Sequence, residues 1–522
     1  MFAIDPTPSK EAKLLRRAIT NKYGCITLIV SFTVLVMLAI RAVAHRRLPK
    51  LIRKRFPLWI SVFLCAFVLA ILSVAETHDD YLYLTKRLGR VAAASLPALY
   101  FLSLRPSPIP RESYLHLLPM HIWLARIIVL LSMLHGILYI NYWAQVGNFT
   151  KFFELATLFG VLVATSLLLT VVVSLKYFRS RNHELFYRTH YVFAWVCVPV
   201  LAYHARPSIW WIVLCLAVFL VGQFIHRHFF GHYVRLGVRR ISTHTQVVTL
   251  PRNIFPKYFS PGAHVRVGPT GLMSRFWFIA ASHPYTIASL ASDGDSVRLI
   301  VKSGKRFKFE DGDQCVIHGP YSSVTYANFI DMTQNSQSPQ RIVIIAGGVG
   351  ISFAAPLVAS LRRTNVNVKL LWATRTKEDL ILLKILGLDD MTVFISLEGV
   401  AGIDDTFLLQ EIGDTDIELR SAGETKHDVE DEPFDLASSY SGEFEFVGDG
   451  TDFFKQKNIK LNYKRMNIEK ELRTFKDEIE IELGIEHRSI SVISCGSRGL
   501  VSECSKWGLK LGAEVFEELY EI

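Results

Sequence analysis

The chain has 522 residues, of which 50% are hydrophobic, and its formal net charge is +11. Its mean hydropathy of +0.28 is too high for an ordinary soluble enzyme of this length and indicates membrane-spanning segments. Seven cysteines without regular spacing argue against a disulfide framework or a zinc module. Much of the positive charge lies in short loops between apolar segments, where it orients a membrane protein, so we expect no nucleic-acid partner.

The first half of the chain contains seven apolar segments, which predict seven transmembrane helices. Loops rich in Arg and Lys follow the first, fifth and seventh segments. Because seven spans place these three loops on one side of the membrane, the positive-inside rule makes that side cytosolic. A tail is predicted over residues 1–23 and a seven-span domain over 24–226, with spans at 24–41, 57–75, 88–104, 117–140, 155–175, 190–205 and 209–226.

Two of these spans carry histidines at the same spacing. His121 and His135 lie fourteen residues apart in the fourth span, and His190 and His204 repeat that spacing in the sixth. Fourteen residues at about 100° each return a side chain to within about 40° of its starting direction, after roughly 21 Å of axial rise.

Two such helices side by side would form two His–His pairs, one near each leaflet, and six-coordinate haem iron needs a neutral imidazole on each face. We therefore predict two haem b groups. His121 and His190 would hold the cytosolic-side haem, and His135 and His204 the outer one. A metal-ion channel lined by histidine is the alternative.

After residue 240, short alternating strands separated by turn residues predict a small antiparallel barrel, which we assign to 240–335. One strand ends in the sequence HPYTIAS (283–289). Its small and hydroxyl residues could hold a flat ring and a phosphate, although a strand that ends at a proline turn has the same pattern.

The stretch RIVIIAGGVGISFAAPLVASLRR (341–363) predicts a strand, a glycine-rich turn and a helix. Glycines permit close backbone approach, and the helix N-terminus offers N–H groups to a diphosphate. Arg375 follows the next strand, where a cation favours NADPH over NADH, although a solvated basic turn would look the same. This nucleotide domain is predicted over 340–522, with an acidic insertion at about 404–455 that we expect to be disordered.

Together these motifs resemble the ferric reductase and NADPH oxidase superfamily of transmembrane flavocytochromes. The paired histidines match its two b-haem ligand pairs, HPYTIAS is similar to its flavin motif, and GGVGIS matches its NADPH diphosphate loop. The motifs and the resemblance imply FAD contacts from His283, Pro284, Tyr285, Thr286, Ile287, Ala288, Ser289, Lys302 and Gly304. They imply NADPH contacts from Gly347, Gly348, Gly350, Ile351, Ser352, Arg375, Cys495 and Gly496.

The resemblance implies a multi-pass α-helical membrane domain, a bis-haem helical bundle, followed by a cytosolic FAD-binding antiparallel β-barrel and an α/β NADPH-binding domain. The short N-terminus and the acidic insertion resemble those of small budding-yeast probable metalloreductases. Many relatives end on an aromatic residue that covers the flavin, whereas Tyr520 lies two residues from the end of this chain. Whether Tyr520 covers the flavin stays open.

The implied activity is transfer of electrons from cytosolic NADPH through FAD and two haems to an acceptor on the opposite face. We expect Fe(III) or Cu(II) as the acceptor, which makes the protein a metalloreductase. The alternatives are O2, giving superoxide, and a non-enzymatic membrane scaffold. The expected partners are membrane lipid and a small-molecule or metal-ion acceptor, and protein partners are unknown. The plasma membrane and the endoplasmic reticulum fit equally.

Overall fold

The computed structural model describes residues 9–44, 58–77, 80–109, 114–206, 208–270, 282–303, 308–335, 341–364, 366–395, 456–483 and 490–520. The chain divides into two compact units, each treated separately below. The first unit comprises residues up to 234 with 265–284 and 314–331, and the second comprises 235–264, 285–313 and everything from 332. Gly304 and the acidic insertion lie outside the described residues.

The first unit is built from long helices, and within the described residues one helix overlaps each of the seven predicted spans. Five of these are long and apolar enough to cross a membrane: Lys10–Val36, Leu117–Val146, Leu155–Ser174, His183–His204 and Trp210–Phe229. The helices are α1 (Lys10–Ala44), α2 (Leu58–Val74), α3 (Tyr81–Phe101), α4 (Tyr114–Val146), α5 (Leu155–Ser174), the short α6 (Lys176–Arg181), α7 (His183–His204) and α8 (Trp210–Phe229).

The first helix begins at Lys10, well before residue 24, so much of the predicted tail is helical. Arg16 is 5% exposed and forms an ion pair with Asp80, the residue that caps the N-terminus of α3. Arg17 donates to Ser208 Oγ at 3.1 Å. These contacts hold the polar first turns of α1 against the bundle. The helix therefore begins well before the apolar run that predicted it.

Helix α3 lies at the centre of the first unit and packs against α1, α4 and α8. Its middle is rich in alanine, and Val91 and Ala94 are fully buried there. Small side chains let neighbouring helix backbones approach closely, which is the usual basis of helix packing in membranes. The sequence of α3 therefore suits a central helix better than a lipid-facing one.

Two small sheets follow the membrane helices. One has the strand order β1–β7–β4–β5, and the other is antiparallel with the order β2–β3–β6. In the antiparallel sheet Val247 pairs with Ile300, and both are buried. The elements are β1 (His232–Arg235), β2 (Gly237–Arg240), β3 (Thr245–Pro251), β4 (His264–Pro269), β5 (His283–Thr286), β6 (Ser296–Lys302), β7 (Gln314–Tyr321) and the helix α9 (Val324–Asn335).

The rest of the second unit is an α/β domain around a six-stranded parallel sheet of order β11–β10–β9–β8–β12–β13. Strand β8 is central, and its run 342–346 is fully buried, as expected for a parallel strand covered on both faces. The elements are β8 (Arg341–Gly347), α10 (Ile351–Arg362), β9 (Asn367–Thr374), α11 (Ile381–Leu386), β10 (Met391–Ile395), β11 (Ile459–Asn462), α12 (Ile468–Leu483), β12 (Ile490–Gly496), α13 (Arg498–Lys510) and β13 (Glu514–Leu519).

Along the chain, β9 adds to one side of β8 and β12 to the other. The strand order therefore reverses beside β8, and nucleotides bind at the carboxyl end of a strand at such a switch point. A helical domain with apolar spans followed by this α/β domain agrees with the fold class predicted from the sequence.

Candidate active site

The predicted outer pair of histidines is brought together by α4 and α7. The ring centres of His135 and His204 lie 6.2 Å apart, with ring planes at 81°. The Nδ1 atom of His135 lies 2.7 Å from the Thr85 carbonyl oxygen, and that of His204 lies 2.7 Å from the Ala156 carbonyl oxygen. Because a carbonyl oxygen only accepts, each Nδ1 carries the proton and each Nε2 keeps a lone pair for a metal ion.

The predicted inner pair has similar geometry. The ring centres of His121 and His190 lie 6.3 Å apart, with planes at 52°. The Nδ1 atom of His121 lies 3.1 Å from the Leu99 carbonyl oxygen of α3. The Nδ1 atom of His190 is buried without a hydrogen-bond partner in the described part of the chain. Three of the four imidazoles are therefore oriented by a backbone carbonyl.

The separation within each pair fits one metal ion between two rings. Roughly 2 Å from each ring nitrogen to the metal, with about 1 Å more from each nitrogen to its ring centre, gives about 6 Å between ring centres. Both pairs have this spacing. Two neutral imidazoles on opposite sides of one metal are the axial ligand set of a six-coordinate haem. The residues present therefore fit two such groups.

Two helical glycines make room for the outer pair. A Cβ atom on Gly160 would lie 2.3 Å from His204 Cε1, and one on Gly89 would lie 2.6 Å from His135 Cε1. Each glycine lies one turn after the residue whose carbonyl oxygen accepts from the same ring. The sequence analysis did not identify either glycine. A glycine within an otherwise apolar helix was the signal that could have pointed to a close contact with a histidine ring.

In the second unit, Tyr520 joins residues that were predicted separately as flavin and nucleotide contacts. Its hydroxyl donates to Thr286 Oγ1 at 2.7 Å and lies 3.2 Å from Ser352 Oγ. Its backbone N–H donates to the Gly496 carbonyl oxygen at 2.9 Å. Burial raises the pKa of the Tyr520 hydroxyl well above its usual value, so this group stays protonated. Tyr520 thus lies where the flavin motif and the glycine-rich loop converge.

Other residues of the flavin motif take different positions. Burial, with the nearby charges of His183, Arg266 and Arg105, lowers the pKa of His283 to about 4, so this imidazole is neutral at pH 7. Pro284 is exposed, the Tyr285 ring centre lies 5.7 Å from that of Phe309, and Lys302 is exposed at the end of β6.

The end of the motif is fixed by β6. Ile287 is buried, the Ala288 N–H donates to the Arg298 carbonyl oxygen at 2.8 Å, and Ser289 Oγ accepts from Arg298 N–H at 3.2 Å. These three residues support the strand rather than present side chains to solvent.

The glycine-rich loop lies at the carboxyl end of β8, where the strand order reverses. Gly347 ends the strand, and Gly348 has a φ of +53°, which favours glycine. The Trp372 indole N–H donates to the Gly348 carbonyl oxygen at 3.0 Å. A Cβ atom on Gly350 would lie 2.4 Å from the Cys495 carbonyl oxygen, so this close approach of two backbones requires glycine.

The loop leads directly into α10, which begins with Ile351 and Ser352. Both are fully buried, and Ser352 Oγ donates to the Val349 carbonyl oxygen at 2.8 Å. Cys495 and Gly496 end the neighbouring strand β12. Burial raises the pKa of the Cys495 thiol well above its usual value, so it is held as the neutral thiol. The nucleotide loop and the cysteine–glycine pair thus share one edge of the sheet.

Arg375 is exposed directly after β9, at the same carboxyl edge of the sheet. The turn that carries it is fixed by Asp379, a buried carboxylate. Asp379 accepts hydrogen bonds from Thr374 Oγ1 at 2.6 Å and from Ser242 Oγ at 3.0 Å. This link ties the Arg375 turn to the loop before β3, and no sequence pattern predicted it.

Three family models match consecutive parts of the chain. They are the ferric reductase like transmembrane component at 88–201, the FAD-binding domain at 234–324 and the ferric reductase NAD binding domain at 340–508. His121, His135 and His190 fall inside the transmembrane match, and His204 lies three residues beyond its end. The flavin motif and the glycine-rich loop fall inside their corresponding matches.

Curated relatives agree with these matches. The chain is 35% identical to a probable metalloreductase AIM14 of Yarrowia lipolytica over 68% of this chain and 67% of the relative. It is 29% identical to a probable metalloreductase AIM14 of Meyerozyma guilliermondii over 96% and 97% of the two chains. It is 33% identical to a probable ferric reductase transmembrane component of Eremothecium gossypii over 63% and 52%. The family predicted from the motifs is confirmed: the chain belongs to the ferric reductases, membrane oxidoreductases with FAD-binding and NAD(P)-binding domains.

Proposed function

We propose that this chain carries electrons from NADPH through FAD and two b-type haems to Fe(III) or Cu(II) on the opposite face of the membrane. The observation that supports this most strongly is the two pairs of imidazoles that α4 and α7 bring together, with ring centres 6.2 and 6.3 Å apart. Two membrane metal centres in series provide a path for single electrons across a layer that ions do not cross cheaply.

When bound, FAD accepts a hydride and the haems carry single electrons onward. The chain's own part is to hold and orient these groups. The carbonyl oxygens of Thr85, Leu99 and Ala156 fix three of the four imidazole rings with Nε2 free. In the second unit, Thr286, Ser352 and the backbone of the glycine-rich loop are positioned for a flavin and a nucleotide, and the N-terminus of α10 favours a diphosphate there.

One member of the outer pair lies at the end of its helix, whereas His135 lies inside α4. His204 is the last residue of α7, and the carbonyl oxygen that orients it belongs to the second residue of α5. Electrons that reach His204 are therefore at the end of a candidate span, where an acceptor in solution can be reduced without entering the bundle. That position supports an external acceptor such as a metal chelate.

The deciding experiment measures acceptor choice in membranes that contain the protein and are supplied with NADPH. Reduction of a ferric chelate is followed with and without oxygen, beside dye reduction that is sensitive to superoxide dismutase. Iron reduction that persists without oxygen and ignores the dismutase is the expected result. Iron reduction that vanishes without oxygen, with a dismutase-sensitive signal in air, would replace the metalloreductase by a superoxide-producing oxidase.

Replacing Arg375 with glutamine is expected to weaken the binding of NADPH but not that of NADH. Loss of a charge-assisted bond of about 1.5–3 kcal/mol raises KM for NADPH roughly 10- to 100-fold and leaves KM for NADH nearly unchanged. Steady-state reduction of a ferric chelate with each nucleotide measures both values.

The matched control is Lys377→Gln, which removes a cation two residues further on, where the ammonium lies 5.1 Å from the Tyr463 ring centre. Similar losses for NADPH and NADH in the Arg375 variant would contradict a contact with the 2′-phosphate.

A further inference from the structure

A cleft in the first unit, at the end of α8 that leads into β1, is lined by basic side chains. They are Arg105, His226, Arg227, His228, Arg266 and His318. None of the described residues that line the cleft is acidic. The cleft is therefore strongly electropositive.

Three of the basic side chains, Arg266, His318 and His226, have neutral hydrogen-bond partners. Arg266 donates to the Ser282 hydroxyl at 3.0 Å and to the Ser282 carbonyl oxygen at 2.5 Å. His318 Nε2 lies 2.9 Å from the Arg227 carbonyl oxygen, and His226 Nε2 lies 3.1 Å from the Tyr321 hydroxyl. Carbonyl and hydroxyl partners orient these side chains and add no negative charge, so Arg266 keeps its positive charge. Burial lowers the pKa of His318, so this imidazole is neutral at pH 7 and contributes hydrogen bonding rather than charge. The cluster is therefore organised in advance for an anion.

Gathering the guanidinium groups of Arg105, Arg227 and Arg266 has an energetic cost. Burial, followed by the like charges of Arg105 and Arg227, lowers the pKa of the Arg266 guanidinium to about 10. Desolvation and repulsion of this kind are offset when a multiply charged anion enters. Guanidinium groups present a planar fork of N–H donors that matches a phosphate better than a single carboxylate charge does.

The place of the cleft in the membrane favours a lipid as the source of the phosphate. His226, Arg227 and His228 lie in the last turn of α8, the final candidate span. Phe229, Phe230 and Tyr233 follow directly and are 69%, 63% and 54% exposed. Tyrosine is enriched at the level of the lipid headgroups, and exposed phenylalanine is suited to the boundary between headgroups and acyl chains, so the cleft opens at that level.

We propose that this cleft binds the phosphate headgroup of an anionic phospholipid from the cytosolic leaflet, with the exposed aromatic residues against its glycerol and upper acyl chain. Basic pockets at the cytosolic ends of membrane helices commonly bind such headgroups. The lipid would join the end of α8 to β4 and β7, because Arg266 belongs to β4 and His318 to β7.

The test uses the full-length protein, purified with its flavin in a neutral detergent. Thermal unfolding is followed while dihexanoyl phosphatidic acid or dihexanoyl phosphatidylcholine is added. The acidic lipid is expected to raise Tm in a saturable way, and the zwitterionic lipid is expected to have little effect. In Arg266→Gln the apparent affinity for the acidic lipid is expected to fall about tenfold or more.

Two variants control for charge and folding. Arg266→Lys keeps the positive charge without the planar fork and is expected to recover part of the response. Arg181→Gln removes an exposed cation of α6, in another cytosolic loop, and is expected to respond as the unmodified protein does.

Flavin binding separates the two possible sources of a phosphate. The affinity for FAD, measured by flavin fluorescence, is expected to stay the same in Arg266→Gln. A fall in FAD affinity without a fall in riboflavin affinity would assign the cleft to the flavin diphosphate and overturn the lipid site. Equal responses to the two lipids, or an unchanged acidic-lipid response in Arg266→Gln, would also overturn it.

Discussion

Replacing His135 with alanine is expected to remove the outer haem and to stop electron delivery across the membrane. His135 supplies one of the two imidazoles of the outer pair, and its ring is fixed by the Thr85 carbonyl oxygen at 2.7 Å. Without it, His204 is left as a single axial ligand at a site with an open face. The reduced-minus-oxidised haem spectrum is expected to show half the haem per protein, and ferric-chelate reduction is expected to fall at least roughly 100-fold.

The flavin half of the protein provides an internal check on this variant. Dye reduction by NADPH that needs only the flavin and the nucleotide is expected to continue, because His135 lies in α4 and is not among the predicted flavin or nucleotide contacts. His232→Ala changes an exposed histidine of β1 and is the matched control, expected to keep full haem content. Normal content of both haems in His135→Ala would refute the assignment of the outer pair.

The histidine pairs show which contacts can be predicted from spacing along the chain and which cannot. A spacing of fourteen residues on two helices was enough to propose which rings face each other, because helix geometry fixes direction along one chain segment. The carbonyl oxygens that orient His135 and His204 could not be read in the same way. They belong to α3 and α5, and their contacts depend on how separate helices pack.

The second unit shows the same contrast. A buried strand, a glycine-rich turn and a helix are consecutive in the chain, so the nucleotide loop was predictable from local sequence. The place of Tyr520 was not, because it depends on the pairing of β13 with β12, which leaves Tyr520 beside Gly496. The Asp379 link likewise joins residues that are more than a hundred positions apart.

Helix α1 shows why the helix boundary was misplaced. Its first turns contain Arg16 and Arg17, which lower the local hydropathy and resemble a solvated tail. Ion pairing of Arg16 with Asp80 and the bond from Arg17 to Ser208 make that polar stretch part of the bundle. Hydrophobic length therefore locates the segment inside the bilayer, whereas the ends of a membrane helix are set by polar contacts outside it.

Replacing Gly160 with alanine is expected to disrupt the outer pair although the histidines are unchanged. The added methyl group would lie 2.3 Å from His204 Cε1 and 2.6 Å from His204 Nδ1, well inside contact distance. Either the ring gives up its bond to the Ala156 carbonyl oxygen or α5 and α7 move apart. Alanine stabilises a helix by about 1 kcal/mol relative to glycine, so a defect cannot come from weakened helix formation.

Gly136→Ala is the control that isolates this effect. Gly136 is next to His135 in α4, and a Cβ atom there meets nothing within 4 Å. The Gly136→Ala variant gains the same helix propensity as Gly160→Ala but has no clash. Normal haem content and activity are therefore expected. In Gly160→Ala, by contrast, ferric-chelate reduction is expected to fall by up to roughly 100-fold, as for a displacement of about 1 Å at a reacting group. An altered electron paramagnetic resonance signal of the outer haem should accompany that fall. If the two alanine variants have the same haem content and activity, a Cβ atom at residue 160 can be accommodated beside the His204 ring. Glycine is then not needed at that position.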